Sequence, residues 1–187
     1  NDAKLDESIW GEIKKSGKAG FFGESVRKLK QDKTKILPNF TKRSRAYLEI
    51  QNGCDHSCTF CIIPQGRGLS KSVPMDTILE KIRNLVNKGF KEIVLTGVDI
   101  TCWGSDIAGN DKLGDLINNI LNKTPNLPRL RLSSLDVSEM DDNLLHVFKT
   151  NKRMMPHLHL SLQSGNNLIL KRMKRRHSRE QAIDLCR

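Results

Sequence analysis

Asn52-Gly53-Cys54-Asp55-His56-Ser57-Cys58-Thr59-Phe60-Cys61-Ile62-Ile63-Pro64 is the stretch around which the rest of this chain is arranged. It sets three cysteines in a C-x3-C-x2-C pattern inside a segment of mostly non-helical composition. Thiolates are soft ligands, and three of them in one compact loop suit an iron–sulfur cluster or zinc. On a cubane 4Fe–4S cluster, three protein ligands leave one iron open, and an open metal position is where a ligand or substrate binds. A zinc knuckle brings a second ligand pair from a separate segment, and none is visible. His56 stands too near Cys54 to be a comfortable fourth ligand. A disulfide framework fails on the count of five cysteines and on the lack of other signs of secretion.

Outward from the loop, the chain alternates between two periodicities. Residues 46–50 have strand composition and run straight into the cysteines, with Asn52-Gly53 as the turn. Pro74 opens a helix whose apolar stripe is Ile78, Ile82, Leu85 and Val86, ended by Gly89. Residues 92–97 form a short apolar strand of the kind buried on both faces of a parallel sheet. A helix on Leu113, Leu116, Ile117, Ile120 and Leu121 stops before Pro125. A third strand covers 130–135. Ser138 with Asp141 predicts a capping box for a helix carrying Met140, Leu144, Leu145 and Phe148. A fourth strand covers 158–163, and a last helix is capped by Ser178 with Gln181. Strand and helix thus alternate four times, which predicts a parallel α/β sheet with crossover helices. In barrel-like α/β folds the loops leaving the C-terminal strand ends build the site. The cysteines, Gly97-Val98-Asp99, Ser134 with Asp136, and Gln163-Ser164-Gly165 all occupy such exits, so they should share one rim.

The chain has 187 residues, is 37% hydrophobic and 28% charged, and carries a formal net charge of +11. No apolar run is long enough for a transmembrane helix, and residues 1–4 do not begin a signal peptide. A first residue other than Met points to a fragment, and reduced thiols fit the cytoplasm. Residues 1–45 carry 12 Lys and Arg against 6 Asp and Glu, residues 171–187 carry 7 against 2, and the middle is balanced. Two basic ends, 14–45 and 171–179, are the electrostatic footprint of a polyanion partner; a solvated surface has the same composition. Residues 1–44 are weakly patterned, with short helices expected over 5–15 and 25–31 and a basic linker ending near Lys42.

Several separate loops resemble the radical S-adenosylmethionine (SAM) superfamily and, more narrowly, its methylthiotransferases. The match runs through Gly53-Cys54-Asp55-His56, Cys58-Thr59-Phe60-Cys61-Ile62-Ile63-Pro64, Gly66-Arg67-Gly68 and Ser70-Lys71-Ser72-Val73-Pro74. It continues through Leu95-Thr96-Gly97-Val98-Asp99, Ser133-Ser134-Leu135-Asp136, Leu162-Gln163-Ser164-Gly165 and Leu170-Lys171-Arg172-Met173. Within that family it is similar to the branch acting on N6-threonylcarbamoyladenosine 37 of tRNA. The resemblance implies a partial (β/α) barrel with four of six strand–helix units, over residues 45–187. Residues 1–44 would then be the remnant of a preceding N-terminal domain plus a linker. The family's second cluster-binding cysteines and its C-terminal RNA-binding TRAM domain have no counterpart in this sequence. Gln65 stands where the family often has an aromatic, and Lys71 where it often has arginine.

The resemblance implies that Cys54, Cys58 and Cys61 ligate a 4Fe–4S cluster whose open iron chelates SAM. It implies that Phe60 packs beside the SAM adenine, a core aromatic being the alternative. Gly97 and Val98 would offer backbone to the SAM amino group, Ser134 and Gln163 would reach its polar atoms, and Arg175 would pair with its carboxylate or stay solvated. Arg67 would meet a substrate anion or tRNA phosphate. Cys102 and Cys186 read as a loop thiol and a small core residue. The implied chemistry is reductive cleavage of SAM to a 5′-deoxyadenosyl radical, which activates adenine C2 for methylthiolation. The electron would come from a donor such as a flavodoxin or ferredoxin. Two other readings stay open: a radical SAM enzyme for isopentenyladenosine tRNA, a ribosomal protein or a small molecule, and a non-catalytic iron–sulfur or nucleic-acid-binding module.

Overall fold

The computed structural model describes residues 44–187; the helices expected over 5–15 and 25–31, and the remnant-and-linker assignment of 1–44, lie outside the described residues apart from Ser44. The first strand, β1 (Arg45–Glu49), is followed by β2 (Gln51–Asn52), helix α1 (Ile63–Arg67), β3 (Lys71–Ser72) and α2 (Met75–Asn87). Then come β4 (Glu92–Thr96), a 3-10 turn at Ile100–Cys102, α3 (Leu113–Lys123), β5 (Arg129–Leu132) and β6 (Ser134–Leu135). A second 3-10 turn at Val137–Glu139 precedes α4 (Asp142–Thr150), β7 (His159–Leu160), α5 (Asn167–Arg172) and α6 (Arg179–Leu185).

The sheet is parallel where it was expected to be. Its order is β1-β4-β5, with Leu48 opposite Leu95 and Leu95 opposite Leu132. All three leucines are buried. Both neighbours of β4 are strands, so its residues must suit a fully covered environment, and Ile93, Val94 and Leu95 are buried in succession. The stripe of α2 closes on the sheet through Ile78, Leu79, Ile82 and Leu85, while α3 contributes Leu113, Leu116, Ile117, Ile120 and Leu121. Gly89, at φ +91°, donates to the Val86 carbonyl and ends α2 as its position predicted.

Four local expectations need correction. Pro74 is the N-cap of α2 rather than part of its first turn. The Ser138–Asp141 capping box does not form: Asp141 itself caps α4 by accepting from Leu144 N–H, while Ser138 sits in the 3-10 turn capped by Asp136. The third strand breaks at Ser133, whose N–H still donates to Leu95 O while β6 pairs with β7 instead. The fourth strand is split. Met154 makes an isolated parallel bridge to Leu130, and pairing resumes only at His159. Pro156, which lacks a ladder donor, lies between the two. Short helices α1 and α5 were not foreseen; α5 is capped by Asn166, whose side chain accepts from Leu168 and Ile169 N–H.

One charged row opens the sheet at the end away from the cysteines. Glu92 is opposite Arg45 on one side and Arg129 on the other, and Arg131 lies two residues further along β5. Its carboxylate meets Arg131 Nε at 2.6 Å, Arg45 Nε at 2.9 Å and Arg129 Nε at 3.3 Å. Burial alone would raise the Glu92 pKa, but the Arg131 hydrogen bond and the three positive charges outweigh it and hold the carboxyl below its ordinary range. A depressed carboxylate contributes stability above its unfolded-state value, near 4.5, and loses it as pH falls through the folded value. Glu92→Gln is therefore expected to cost about 2 kcal/mol at pH 7. Denaturant unfolding should show that gap narrowing as pH falls below about 4.5; a gap independent of pH would contradict the assignment.

Candidate metal and cofactor site

The cysteine loop is held by backbone hydrogen bonds, by the Asp55 carboxylate and, where it leaves β2, by one buried side chain. Gly53 takes φ +74°, and a Cβ there would run into the Leu69 carbonyl, so glycine is required where the loop leaves β2. Cys54 N–H donates to Gly68 O at 3.1 Å, and Cys61 N–H turns back onto Cys58 O at 3.1 Å. Asp55 accepts from Ser70 N–H at 2.8 Å. Thr59 ties the loop to the far end of the chain, its N–H donating to Met173 O and its hydroxyl to Arg172 O.

Gln51 is the side chain that joins this loop to the next. It is fully buried. Its amide nitrogen donates to Gly53 O at 2.8 Å and Ser70 Oγ at 3.0 Å. Its oxygen accepts from Val98 N–H at 3.1 Å and Asp99 N–H at 2.8 Å. Gly97 lies so close to this bridge that an added Cβ would sit 2.6 Å from the Gln51 carbonyl and from Ile100 Cγ2. The sequence reading missed Gln51. A polar residue at the end of a strand carries no mark that separates it from a solvated one.

The sequence-predicted residues divide into those that converge and those that stay apart. Cys54, Cys58 and Cys61 are free, half-buried thiols on one loop. Each of two sulfurs has an N–H donor aimed at it: His56 N–H at 3.4 Å from Cys54 Sγ, and Arg175 Nη1 at 3.7 Å from Cys58 Sγ. Burial, with Asp99 3.6 Å away, pushes the Cys54 thiol up to about 12. In the metal-free chain the thiol keeps its proton, and a bound cation is needed to make it a thiolate. Donor number, donor type and N–H···S contacts fit a three-cysteine cluster site.

Asp99, Asp136 and Arg175 come to the same rim. Arg175 is not a solvated arginine: Nη2 binds Asp136 at 2.6 Å and Ser161 O at 3.0 Å, and its buried Nε has no partner. Val98 N–H donates to Gln51, and an ammonium group near this turn, being a donor only, would need its carbonyls. Ser134 Oγ bonds His159 Nδ1 at 3.0 Å rather than reaching the cysteines. Gln163 is exposed, with a left-handed φ of 64°. Phe60 is 55% exposed, which removes the core-aromatic alternative. Arg67 is exposed at the end of α1. Cys186 is exposed at the C-cap of α6, not in the core as the sequence reading had it. Cys102 is no isolated loop thiol, because its sulfur lies 3.6 Å from His56 Nε2 and 2.7 Å from Glu139 Oε1.

The basic C-terminal segment is also less free than its composition implied. Arg175 and Arg176 serve as internal partners of Asp136 and Glu139. Lys171, Arg172 and Lys174 remain exposed. No helix among the described residues is long and apolar enough to cross a membrane.

Comparison with known proteins places this geometry in context. A family model described as the radical SAM superfamily matches residues 48–187. A threonylcarbamoyladenosine tRNA methylthiotransferase of Rickettsia prowazekii is 48% identical over 161 residues, covering 86% of this chain and 38% of the relative. A tRNA-2-methylthio-N(6)-dimethylallyladenosine synthase of Shouchella clausii is 38% identical over 144 residues, 77% of this chain and 27% of the relative. The chain thus spans well under half the length of these curated relatives. Among solved structures, the radical SAM methyltransferase TsrM from Kitasatospora setae superposes with a TM-score of 0.59 at 15% identity, over 76% of this chain and 28% of the other. That likeness is one of fold.

Gln51→Ala strips two buried N–H groups and the Gly53 carbonyl of their partner. It should destabilise the chain by about 3 kcal/mol, lowering Tm by about 6–12 °C. A melting curve within 2 °C or so of wild type would mean that the two loops are held by something else.

Proposed function

This chain belongs to the radical SAM superfamily, and from that membership we propose that it is the catalytic core of a tRNA methylthiotransferase acting at C2 of N6-threonylcarbamoyladenosine 37. The observation that supports the reading most is the cysteine loop itself: three free thiols on one loop, with a backbone and a guanidinium N–H directed at two of their sulfurs. The identity to methylthiotransferases across most of the chain supports the substrate class.

In this reading Cys54, Cys58 and Cys61 hold a 4Fe–4S cluster, and SAM is its partner cofactor. When bound, the cluster supplies the one-electron reduction of SAM from which the substrate radical derives, with a flavodoxin- or ferredoxin-type protein as electron source. The chain's own residues bind and orient. Gly97 and Val98 present carbonyls to the SAM ammonium, and exposed Phe60 offers a ring face to its adenine. Ser134 and Gln163 are polar groups on exits of the same rim. Arg175, already paired to Asp136, meets the SAM carboxylate only by sharing its guanidinium. Five N–H donors in a rigid fork allow such sharing. The two basic ends, 14–45 and 171–179, contact tRNA backbone.

Anaerobic reconstitution should load one 4Fe–4S cluster per chain. Cys54→Ala, Cys58→Ala and Cys61→Ala should each lose it, while Cys102→Ala and Cys186→Ala keep it, as read by iron and sulfide content and visible absorbance. Loading that survives loss of any of the three thiols would overturn the ligand assignment.

Binding to tRNA should weaken steeply with salt, with a log–log slope near 0.9 for each duplex phosphate contacted. Because Arg175 and Arg176 are structural partners, the informative variant neutralises Lys171, Arg172 and Lys174. A parallel variant neutralises Lys28, Lys30, Lys33 and Lys35. Each should flatten the slope by about the number of contacts removed. An unchanged slope in both would mark these ends as solvated surface.

A further inference from the structure

Beside the cysteine loop, four side chains that the proposed reaction does not use point their ligating atoms at one another. His56 comes from the loop itself, Asp99 and Cys102 from the turn after β4, and Glu139 from the 3-10 turn after β6. Their ligand atoms all lie within 4.8 Å of one another. His56 Nε2 is 2.8 Å from Asp99 Oδ2 and 3.3 Å from Glu139 Oε1. Cys102 Sγ is 3.6 Å from His56 Nε2 and 2.7 Å from Glu139 Oε1.

We propose that His56, Asp99, Cys102 and Glu139 form a second metal site, for a single divalent ion of the zinc type, distinct from the three-cysteine site. The donor set, one imidazole, one thiol and two carboxylates, is that of four-coordinate zinc. Bonds of about 2.0 Å to N and O and 2.3 Å to S put the ligands of a tetrahedral zinc about 3.3–3.6 Å apart. The His56–Glu139 and His56–Cys102 separations match that range, while 2.8 Å for His56–Asp99 and 2.7 Å for Cys102–Glu139 fall short of it, so seating the ion opens those two pairs by about 0.5–0.8 Å.

An ion-paired imidazolium is the competing account of this cluster. His56 is held protonated up to about 10, chiefly by Asp99 and then Glu139. The Cys102 thiol fits that account by donating to Glu139 Oε1, but one feature stays unexplained. Glu139 Oε2 is buried without any hydrogen-bond partner, while Oε1 is crowded by Arg176, His56 and Cys102. A cation bound through either Glu139 oxygen would relieve this imbalance.

The surroundings supply what a metal site needs. Asp99 Oδ1 accepts from Thr101 Oγ1 at 3.2 Å, and Arg176 holds Glu139 at 2.5 Å, which are orienting contacts of the kind that fix ligating carboxylates. A cavity of about 540 Å³, lined by Cys102, Glu139, Ser138 and Asn110 among others, opens beside two of the ligands and gives the ion a path. The ion would pin together three rim loops that otherwise share only hydrogen bonds and ion pairs.

The test uses Co2+ as a spectroscopic stand-in for Zn2+ on the 187-residue chain carrying Cys54→Ala, Cys58→Ala and Cys61→Ala, which separates this site from the cluster reading. One Co2+ should bind with the visible bands of tetrahedral coordination and a sulfur-to-cobalt charge-transfer band, and Zn2+ should displace it. Adding Cys102→Ser should erase the charge-transfer band, and His56→Asn should weaken binding at least about tenfold. Absence of tetrahedral Co2+, or a spectrum indifferent to both substitutions, overturns the proposal. If the triple variant does not fold, the cluster-loaded chain is measured instead. It should hold one zinc equivalent that disappears in Cys102→Ser with the iron retained, and a chain without that zinc refutes the site.

Discussion

The Gln51 carboxamide is the interaction on which the rim depends. It is one planar group with two donors and an acceptor, buried where the first strand gives way to the cysteine loop. Through it, the backbone of the loop and the backbone of the Gly97–Asp99 turn become one hydrogen-bonded unit. The neighbouring glycines follow from that closeness, since Gly53 and Gly97 leave no room for a Cβ. Neither loop has a helix or a long strand of its own to fix it. Position therefore comes from a buried amide whose partners, if lost, would each be left unsatisfied.

Outside this bridge the rim is organised by charge. Asp136 holds Arg175 and Glu139 holds Arg176, so each carboxylate meets a guanidinium from the C-terminal segment. Of these pairs, Arg175–Asp136 is largely shielded from water, where removing one partner costs far more than the pair contributes. They also explain why net charge was a poor guide to the C-terminal segment. Part of its basic character is used internally, while Lys171, Arg172, Lys174 and Arg179 stay exposed to meet a polyanion. At the opposite end of the sheet, Glu92 repeats the arrangement with three arginines in register.

The parallel sheet, the apolar stripes of α2 and α3, the capping of α6 and the convergence of strand exits were legible in the sequence. Each rests on short-range periodicity or on a residue with one dominant local use, such as Gly89 or Ser178. What was not legible depends on pairing across distance. Nothing near Ser138 says that Asp136 and Asp141 will do the capping, because both need the geometry of the β6 exit. The split fourth strand had a signal in Pro156, which the reading passed over. Gln51, and the meeting of His56 with Cys102 and Glu139, join residues dozens of positions apart. A single sequence offers no periodicity for such contacts. The cysteine loop was legible because its three thiols lie in one segment.

The central claim is that this single loop gives a cluster only three ligands and leaves one iron facing the rim. The most direct measurement is pulsed electron paramagnetic resonance of the reduced, reconstituted chain with SAM labelled by 15N in its amino group and 17O in its carboxylate. Hyperfine coupling to both labels is the predicted result, since only an open iron can chelate them. A cluster signal without coupling to either label would contradict the account, for it would mean that the fourth position is closed.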